Sequence, residues 1–249
     1  MEKKDYLISY LREKTGTSFP QYCKEDEIRA LMNIALPMGF SDEFYEKQDE
    51  YLKELLSKKS VTDVSSLNYE GQMAIYRGDI TLLKADAIVN AGNPALLGCF
   101  GPLHYCIDNA IHSYAGLEVR RDIMGILQGK EVETAEVVVT KGYNLPSTYI
   151  FHTVGPIYSG LPRDKMLLSA CYTRCLAKAD EMGLDNIVFC SLSTGVYGYP
   201  IEKASRVAIN AAKGYLRSSG SKIKVVFDLF SEKDKSIYER AIGEDQGIA

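Results

Sequence analysis

The chain has 249 residues, long enough for one large α/β domain with a modest extension or for two small domains. A hydrophobic content of 46% and a charged content of 25% are typical of a globular protein that folds without needing a disulfide or a metal. The net charge of −4, with dispersed Lys and Arg, argues against nonspecific nucleic-acid binding. Without a secretory signal or a long apolar run, we expect a cytoplasmic protein that spans no membrane.

Apolar residues at helical spacing predict helices through about residue 59. Their positions are Tyr6, Leu7, Tyr10 and Leu11, then Ile28, Leu31, Met32 and Ala35, then Phe44, Tyr51, Leu52, Leu55 and Leu56. Ser41 is the predicted N-cap of the third helix, and the acidic pair after it suits a first helical turn. The polar stretch 60–68 is predicted to be a linker, so residues 1–68 form a helical N-terminal extension.

From Tyr69 onward, short β-branched runs alternate with amphipathic stretches. The predicted strands are Gln72–Arg77, Ala85–Asn90, Glu136–Thr140, Tyr149–Thr153, Asn186–Ser191 and Ile223–Leu229. The predicted helices are Cys106–Ala115, Glu118–Leu127, Asp164–Met182, Ile201–Arg217 and Glu232–Ile242. Strands that are apolar throughout indicate a sheet covered on both faces, so residues 69–249 are predicted to form a three-layer α/β/α domain.

Asp79 follows a predicted strand within the sequence Gly-Asp-Ile-Thr. Its carboxylate could accept a hydrogen bond from an exocyclic amine such as that of adenine. An Asp after a Gly is more often a turn or helix-cap residue, and this alternative stays open.

A second loop begins at Asn90 and Asn93, whose amides could bind ligand hydroxyls. It continues to Cys99, His104 and Cys106, with the spacing C-x₄-H-x-C. Two thiolates and an imidazole are preferred zinc ligands, and three protein ligands leave the fourth tetrahedral position open, as in catalytic sites. The alternative is two buried thiols and a surface histidine. The remaining cysteines are predicted to be buried thiols, namely Cys23, Cys171, Cys175 and Cys190.

Asp108 lies two residues beyond the last candidate ligand, at the start of a predicted helix. There it either caps the helix or, beside a metal, orients or deprotonates a water molecule. His112, one helical turn later, is the best-placed fourth donor if the zinc site is closed and purely structural.

The loop from Ser191 to Pro200 joins a strand to a helix and contains Ser, Thr and Gly. Its backbone N–H groups, aided by the helix N-terminus, could converge on an anion. No Lys follows as in a P-loop, which excludes that nucleotide-binding signature.

Taken together, these loops resemble the macrodomain family, and specifically its zinc-dependent bacterial branch. The resemblance covers roughly residues 70–245 and rests on GDIT at 78–81, NAGNPALLG at 90–98, GCFGPLHYCIDNAIH at 98–112, HTVGP at 152–156 and STGVYGYP at 193–200. It implies an α/β/α macrodomain with a mixed, roughly six-stranded sheet. Most macrodomains have a Gly-rich segment where this chain has GCFGPLHYC, and zinc macrodomains commonly carry a helical N-terminal extension.

The resemblance also implies a role for each site residue. Adenine would contact Asp79, Ile80 and Phe230, and the distal ribose would contact Asn90 and Asn93. The diphosphate would be wrapped by backbone N–H groups near Asn109, Ala110 and Ile111 and near Ser193, Thr194, Gly195, Val196 and Tyr197. Cys99, His104 and Cys106 would bind Zn²⁺, and Asp108 would be catalytic. His112 and His152 are predicted to be structural.

The function implied is zinc-dependent hydrolysis of mono-ADP-ribose from a protein side chain, with Asp or Glu as the expected linkage. The resemblance suggests a lipoyl-carrier-type target protein that a sirtuin-like transferase modifies. Two alternatives stay open, a reader that binds ADP-ribosylated proteins without cleaving them and a deacetylase of O-acetyl-ADP-ribose. No nucleic acid or membrane partner is expected.

Overall fold

The sheet and its helices begin and end close to the predicted positions. The structure is a computed structural model that describes residues 2–243, so Met1 and the last six residues of the predicted domain, 244–249, lie outside the described residues. The helices are α1 (Lys3–Thr15), α2 (Lys24–Ile34), α3 (Asp42–Ser57), α4 (Ile107–Ala115), α5 (Leu117–Leu127), α6 (Pro162–Glu181), α7 (Ile201–Ser219) and α8 (Glu232–Gly243). The strands are β1 (Thr62–Asp63), β2 (Met73–Arg77), β3 (Leu83–Lys84), β4 (Ala87–Ala91), β5 (Val137–Lys141), β6 (Tyr149–Thr153), β7 (Asn186–Cys190) and β8 (Lys224–Leu229).

Six strands form one mixed sheet in the order β2-β8-β7-β4-β6-β5. All neighbouring pairs are parallel except β5 and β6, which are antiparallel. Helices lie between most of the five parallel strands along the chain and cover both faces of such a sheet, which explains why the strands are apolar throughout. The predicted three-layer α/β/α fold with a six-stranded mixed sheet is confirmed.

One face of the sheet is an aromatic core. Phe189 and Phe227 are neighbours in register on β7 and β8, with ring centroids 6.2 Å apart. Tyr172 of α6 lies 4.9 Å from Phe189, and Tyr238 of α8 lies 5.4 Å from Phe227. All four side chains are fully buried, so α6 and α8 are fixed to this face by large apolar contacts.

The opposite face carries polar side chains at the carboxyl end of the strands. Asn90 on β4 is in register with His152 on β6, and Cys190 on β7 is in register with Asp228 on β8. These two pairs lie side by side, because Val89 of β4 and Phe189 of β7, the residues just before Asn90 and Cys190, are in register. Side chains in register on neighbouring strands point to the same face, so the four form a polar row inside the protein.

The N-terminal helices α1, α2 and α3 have a hydrophobic cluster of their own, which includes Leu11, Ile28 and Phe44 and also Leu117 of α5. Ser41 is the N-cap of α3, as predicted, because its Oγ accepts a hydrogen bond from the N–H of Phe44 at 3.2 Å. Helices therefore precede the sheet domain, and the division into residues 1–68 and 69–249 stays a prediction.

The predicted linker 60–68 contains regular structure. Thr62 and Asp63 form the short strand β1, which pairs in parallel with β3, and a 3₁₀ turn covers Val64–Ser66. A two-residue strand has no periodicity that a sequence pattern can reveal.

None of the helices within residues 2–243 combines the length and apolarity that crossing a membrane requires.

Candidate active site and metal centre

The loops predicted to carry chemistry meet at one edge of the sheet. β2, β4, β6, β7 and β8 run parallel, so the loops that follow them leave from the same edge. In open α/β sheets, ligands bind in the crevice outside the carboxyl ends of the strands. The fold therefore brings these loops together at the edge where a ligand is expected.

Cys99, His104 and Cys106 form a compact group of potential metal ligands. Their ligand atoms all lie within 4.8 Å of one another, and Cys99 Sγ is 3.4 Å from His104 Nδ1. A tetrahedral zinc ion with ordinary Zn–S and Zn–N bonds separates a sulfur and a nitrogen ligand by about 3.5 Å. The spacing and the chemistry of this donor set both fit zinc.

A closed site completed by His112 is not formed. Among residues 2–243, no fourth His, Cys, Asp or Glu joins the group of three donors. His112 is buried against Gly98, and its Nε2 lies 3.5 Å from Asp108 Oδ1. The donor set is therefore that of an open site with three protein ligands, the arrangement typical of catalytic zinc.

Cys106 begins helix α4 as its N-cap. Its Sγ accepts a hydrogen bond from the N–H of Asn109 at 3.4 Å, whereas Asp108 already lies inside the helix. The capping role considered for Asp108 thus belongs to Cys106. The positive end of a helix favours the thiolate that binds a metal, whereas burial raises the pKa of the Cys106 thiol.

Asp108 is a buried carboxyl next to the metal ligands, with only 6% of the residue exposed. Its Oδ1 accepts a hydrogen bond from Asn90 Nδ2 at 2.8 Å. Burial raises the pKa of Asp108 to about 6, although the Asn90 hydrogen bond and the charge of Arg120 lower it. Both Asn90 and His112 contact Oδ1, so Oδ2 is the oxygen left for a substrate or a water molecule.

Asn90 connects Asp108 to a buried histidine. Its Nδ2 also lies 3.2 Å from His152 Nδ1, and His152 Nε2 lies 2.9 Å from Thr140 Oγ1. Burial lowers the pKa of His152 to about 3, so this ring is neutral and its Nδ1 accepts from Asn90. Asn90 Oδ1 is buried and has no partner among the described residues, which leaves an acceptor for a ligand hydroxyl.

The loop after β7 has the features of an anion site. Ser193 adopts a left-handed backbone with φ +65°, and its buried Oγ has no hydrogen-bond partner in the described part of the chain. Within residues 2–243, the N–H groups of Gly195, Val196 and Tyr197 have no backbone or side-chain acceptor. Successive unpaired N–H groups form a concave site for an anion.

Gly155 allows this loop to approach the loop after β6. A Cβ built on Gly155 would overlap with Ser193 Oγ. The glycine of the HTVGP motif is therefore required by the close packing of the two loops.

The predicted adenine contacts lie at the β2 and β8 end of this edge. Asp79 caps a 3₁₀ turn, because its Oδ1 accepts from both the N–H and the Oγ1 of Thr81. Its Oδ2 takes no part in the cap. The side chain of Ile80 is buried in the core, so only its backbone can face a ligand. Phe230 is 92% exposed directly after β8, which leaves its ring available for stacking.

Several other residues that were predicted to contact the ligand form hydrogen bonds within the protein or are buried. The Asn93 side chain accepts from the N–H of Ala95 and donates to Gly98 O, so it shapes its own loop. The N–H of Ala110 donates to Cys106 O. Ile111 is fully buried, and Thr194 donates its hydroxyl to Ser191 O. These residues stay predicted ligand contacts, and their visible role is to hold the loops.

Asp228, in the polar row, is a buried carboxyl that no sequence pattern indicated. Its Oδ1 has no hydrogen-bond partner among the described residues. Burial and the nearby carboxylate of Asp79 raise its pKa to about 8, while a backbone hydrogen bond from Gly78 lowers it. Cys190 also faces it, since the Asp228 charge raises the pKa of that thiol. Asp228 is therefore neutral over most of the physiological range.

Asp228→Asn is expected to stabilise the protein by an amount that grows with pH. The folded-state pKa of about 8 lies above the ordinary 3.8, so folding takes up a proton between these values. The contribution of Asp228 to wild-type stability is largest below about pH 4 and falls as the pH rises toward 8, whereas the amide has no such loss. Above pH 8, we expect the free energy of unfolding of Asp228→Asn to exceed that of the wild type by on the order of 2–5 kcal/mol. Urea unfolding at about pH 5 and about pH 8.5 measures it, and a constant difference contradicts it.

Three residues outside the predicted motifs hold the loop 99–106, which carries the candidate metal ligands and is the metal loop below. The N–H of Leu103 donates to Asn33 Oδ1 of α2 at 3.0 Å, and Arg29 of α2 donates to Asn109 Oδ1 at 2.9 Å. Arg120 of α5 donates to Leu97 O at 2.6 Å. Of these three residues, only Arg120 could have been found from the sequence, because it is an arginine on the apolar stripe of a predicted helix. Arg29 and Asn33 lie about 70 positions from the loop, and no local sequence pattern reports contacts at that distance.

The remaining cysteines divide into two groups. Cys171, Cys175 and Cys190 are buried thiols, as predicted. Cys23 is exposed, so its predicted burial is wrong. It is the residue before α2, where the chain turns at the protein surface and the apolar stripe of the helix has not begun.

The fold and the site together define an α/β/α protein that carries a candidate anion site and three clustered candidate metal ligands at one edge of its sheet. The sequence model of the Macro domain family matches residues 89–208. A protein-ADP-ribose hydrolase of Treponema medium is 41% identical, over 96% of this chain and 97% of the relative.

Solved structures agree with this match. The Oceanobacillus iheyensis macrodomain with ADP has a TM-score of 0.65 and 38% identity, covering 72% of this chain and 94% of that one. The Trypanosoma brucei macrodomain in complex with ADP-ribose has a TM-score of 0.66 and 30% identity, covering 92% and 98%. The chain belongs to the macrodomain family.

Proposed function

We propose that this chain is a zinc-dependent hydrolase that removes mono-ADP-ribose from a modified Asp or Glu side chain of a protein. The observation that carries the proposal is the open Cys99–His104–Cys106 triad beside the buried Asp108. The name of the Treponema relative, protein-ADP-ribose hydrolase, supports ADP-ribose on protein as the substrate. The two macrodomain structures with ADP and ADP-ribose support the ligand class.

The reaction splits the bond between C1″ of the distal ribose and the carboxylate oxygen, and water supplies the hydroxyl and the proton. The unpaired N–H groups of Gly195, Val196 and Tyr197 hold the diphosphate and so position C1″. Asn90 Oδ1 accepts a ribose hydroxyl, and Asp108 Oδ2 accepts the proton of the attacking water. A bound zinc ion would supply Lewis-acid polarisation of an oxygen in this site.

The same pocket suits two other functions. A reader module would bind ADP-ribosylated proteins without cleaving them, but it needs neither a metal triad nor a buried Asp. A deacetylase of O-acetyl-ADP-ribose would use the same groups on a free ester. The lipoyl-carrier-type target, the sirtuin-like transferase and the cytoplasmic location stay predictions.

The test is ADP-ribose release from a protein mono-ADP-ribosylated on Asp or Glu. The enzyme is assayed as purified, after chelation, and after reloading with zinc. We expect activity to be lost on chelation and restored by zinc. Full activity without metal would contradict zinc dependence, and ADP-ribose binding without release in any state would support the reader. Preference for O-acetyl-ADP-ribose over the modified protein would support the deacetylase.

A further inference from the structure

The backbone just before the ligand His104 is held from outside the loop. Leu103 has φ +56°, a left-handed conformation that is unfavourable for a leucine. Its N–H donates to Asn33 Oδ1 at 3.0 Å, and Asn33 Nδ2 donates to Ser113 Oγ of α4 at 2.8 Å. Asn33 is 2% exposed and both ends of its amide are used, so it fixes this turn in place.

A second connection from α2 reaches the first ligand. Arg29 donates to Asn109 Oδ1 at 2.9 Å. The amide of Asn109 in turn donates to Cys99 O at 3.3 Å and to Gly101 O at 2.9 Å. The fully buried Asn109 therefore holds two carbonyl groups of the loop, and Arg29 fixes the orientation of its amide.

Arg120 joins the loop to the end of α2. Its guanidinium donates to Leu97 O, two residues before Cys99, and to the carbonyls of Met32, Asn33 and Ala35. The carbonyl end of a helix favours a cation, and these groups would lose their partner if α2 moved away. The loop and α2 thus share one set of buried and partly buried hydrogen bonds.

We propose that α2 is a structural part of the metal site, with Asn33 and Arg29 as positioning residues that hold the loop 99–106 in its metal-binding shape. Metal binding and the packing of α2 then stabilise each other, because any coupling between two equilibria is reciprocal. The N-terminal extension is in this respect a component of the active site. This inference rests on the proposed zinc dependence.

Gln48 offers a matched control for Asn33. It is also a buried side-chain amide that bridges the N-terminal helices to the rest of the protein. It accepts from the N–H of Leu117 at 2.9 Å and donates to Glu118 Oε2 at 2.7 Å, with no contact to the metal loop. Asn33→Leu and Gln48→Leu therefore each remove one backbone and one side-chain hydrogen bond of similar kind.

The experiment measures the zinc affinity of both variants and the wild type by competition with a chromophoric chelator. We expect Asn33→Leu to weaken zinc binding roughly 10–100-fold, as loss of ligand-orienting contacts does. Gln48→Leu should keep wild-type zinc affinity even where its thermal stability falls equally. Equal losses in both variants, or no loss in Asn33→Leu, would overturn the inference. A wild type that binds no zinc would overturn the proposed zinc dependence as well.

Hydrogen exchange of the wild type tests the coupling without any substitution that risks misfolding. Removing zinc is expected to reduce amide protection in α2 together with the loop 99–106, while α3 keeps its protection. Loss confined to the loop would overturn the coupling. Because the readouts are affinity and exchange, they do not depend on turnover.

Discussion

Cys106→Ser is expected to abolish zinc binding and to reduce ADP-ribose release at least about 100-fold. Serine leaves only two strong protein ligands, and loss of a ligand should exceed the 10–100-fold effect of losing a supporting contact. Serine is itself a good N-cap, so helix α4 keeps the role that Cys106 Sγ has toward the N–H of Asn109. The substitution therefore separates metal binding from helix capping.

Affinity for ADP-ribose should stay within a few-fold of wild type, because the adenine contacts and the diphosphate contacts at 193–197 belong to other loops and serine keeps the N-cap beside Asn109. Turnover, zinc content and ADP-ribose affinity are measured on the same preparation. Cys23→Ser is the matched control, since Cys23 is exposed and outside the triad. It should change none of the three quantities. Unchanged turnover and zinc content in Cys106→Ser would contradict a catalytic metal.

Asp108→Asn is expected to reduce turnover roughly 10²–10⁴-fold, the usual contribution of a positioned general base. The amide keeps an oxygen for the hydrogen bond from Asn90, so the variant should fold and should bind zinc and ADP-ribose normally. Single-turnover release of ADP-ribose from a modified protein measures the effect. A rate within about three-fold of wild type would remove Asp108 from the chemistry and leave catalysis to the metal centre.

Glu118→Gln controls for the neutralisation of a buried acid. Burial raises the pKa of Glu118, and its Oε2 contacts Gln48 rather than the metal loop. Its isosteric change should leave turnover within a few-fold of wild type. An equal loss in both variants would show that structural damage, and not a lost base, lowers the rate.

The local pattern of the sequence predicted most of the helices and strands of the fold. Strands such as Asn186–Cys190 and helices such as Leu117–Leu127 end within about two residues of their predicted limits, because periodicity and turn residues act over a few positions. The two-residue strand β1 was not predictable, since only its pairing with β3 defines it. Periodicity also gave no reason to expect the exposure of Cys23.

The sequence by itself determined which three side chains cluster as candidate metal ligands, because C-x₄-H-x-C places Cys99, His104 and Cys106 within eight residues of one loop. It also determined that Asp108 follows the triad on a helix. Only the tertiary structure decided that Cys106 and not Asp108 caps this helix, that His112 stays out of the donor group, and that Asn33 holds Leu103 across 70 positions of sequence. The reason is physical: short loops fix their own ligand spacing, whereas contacts between distant segments exist only once the core has packed them together.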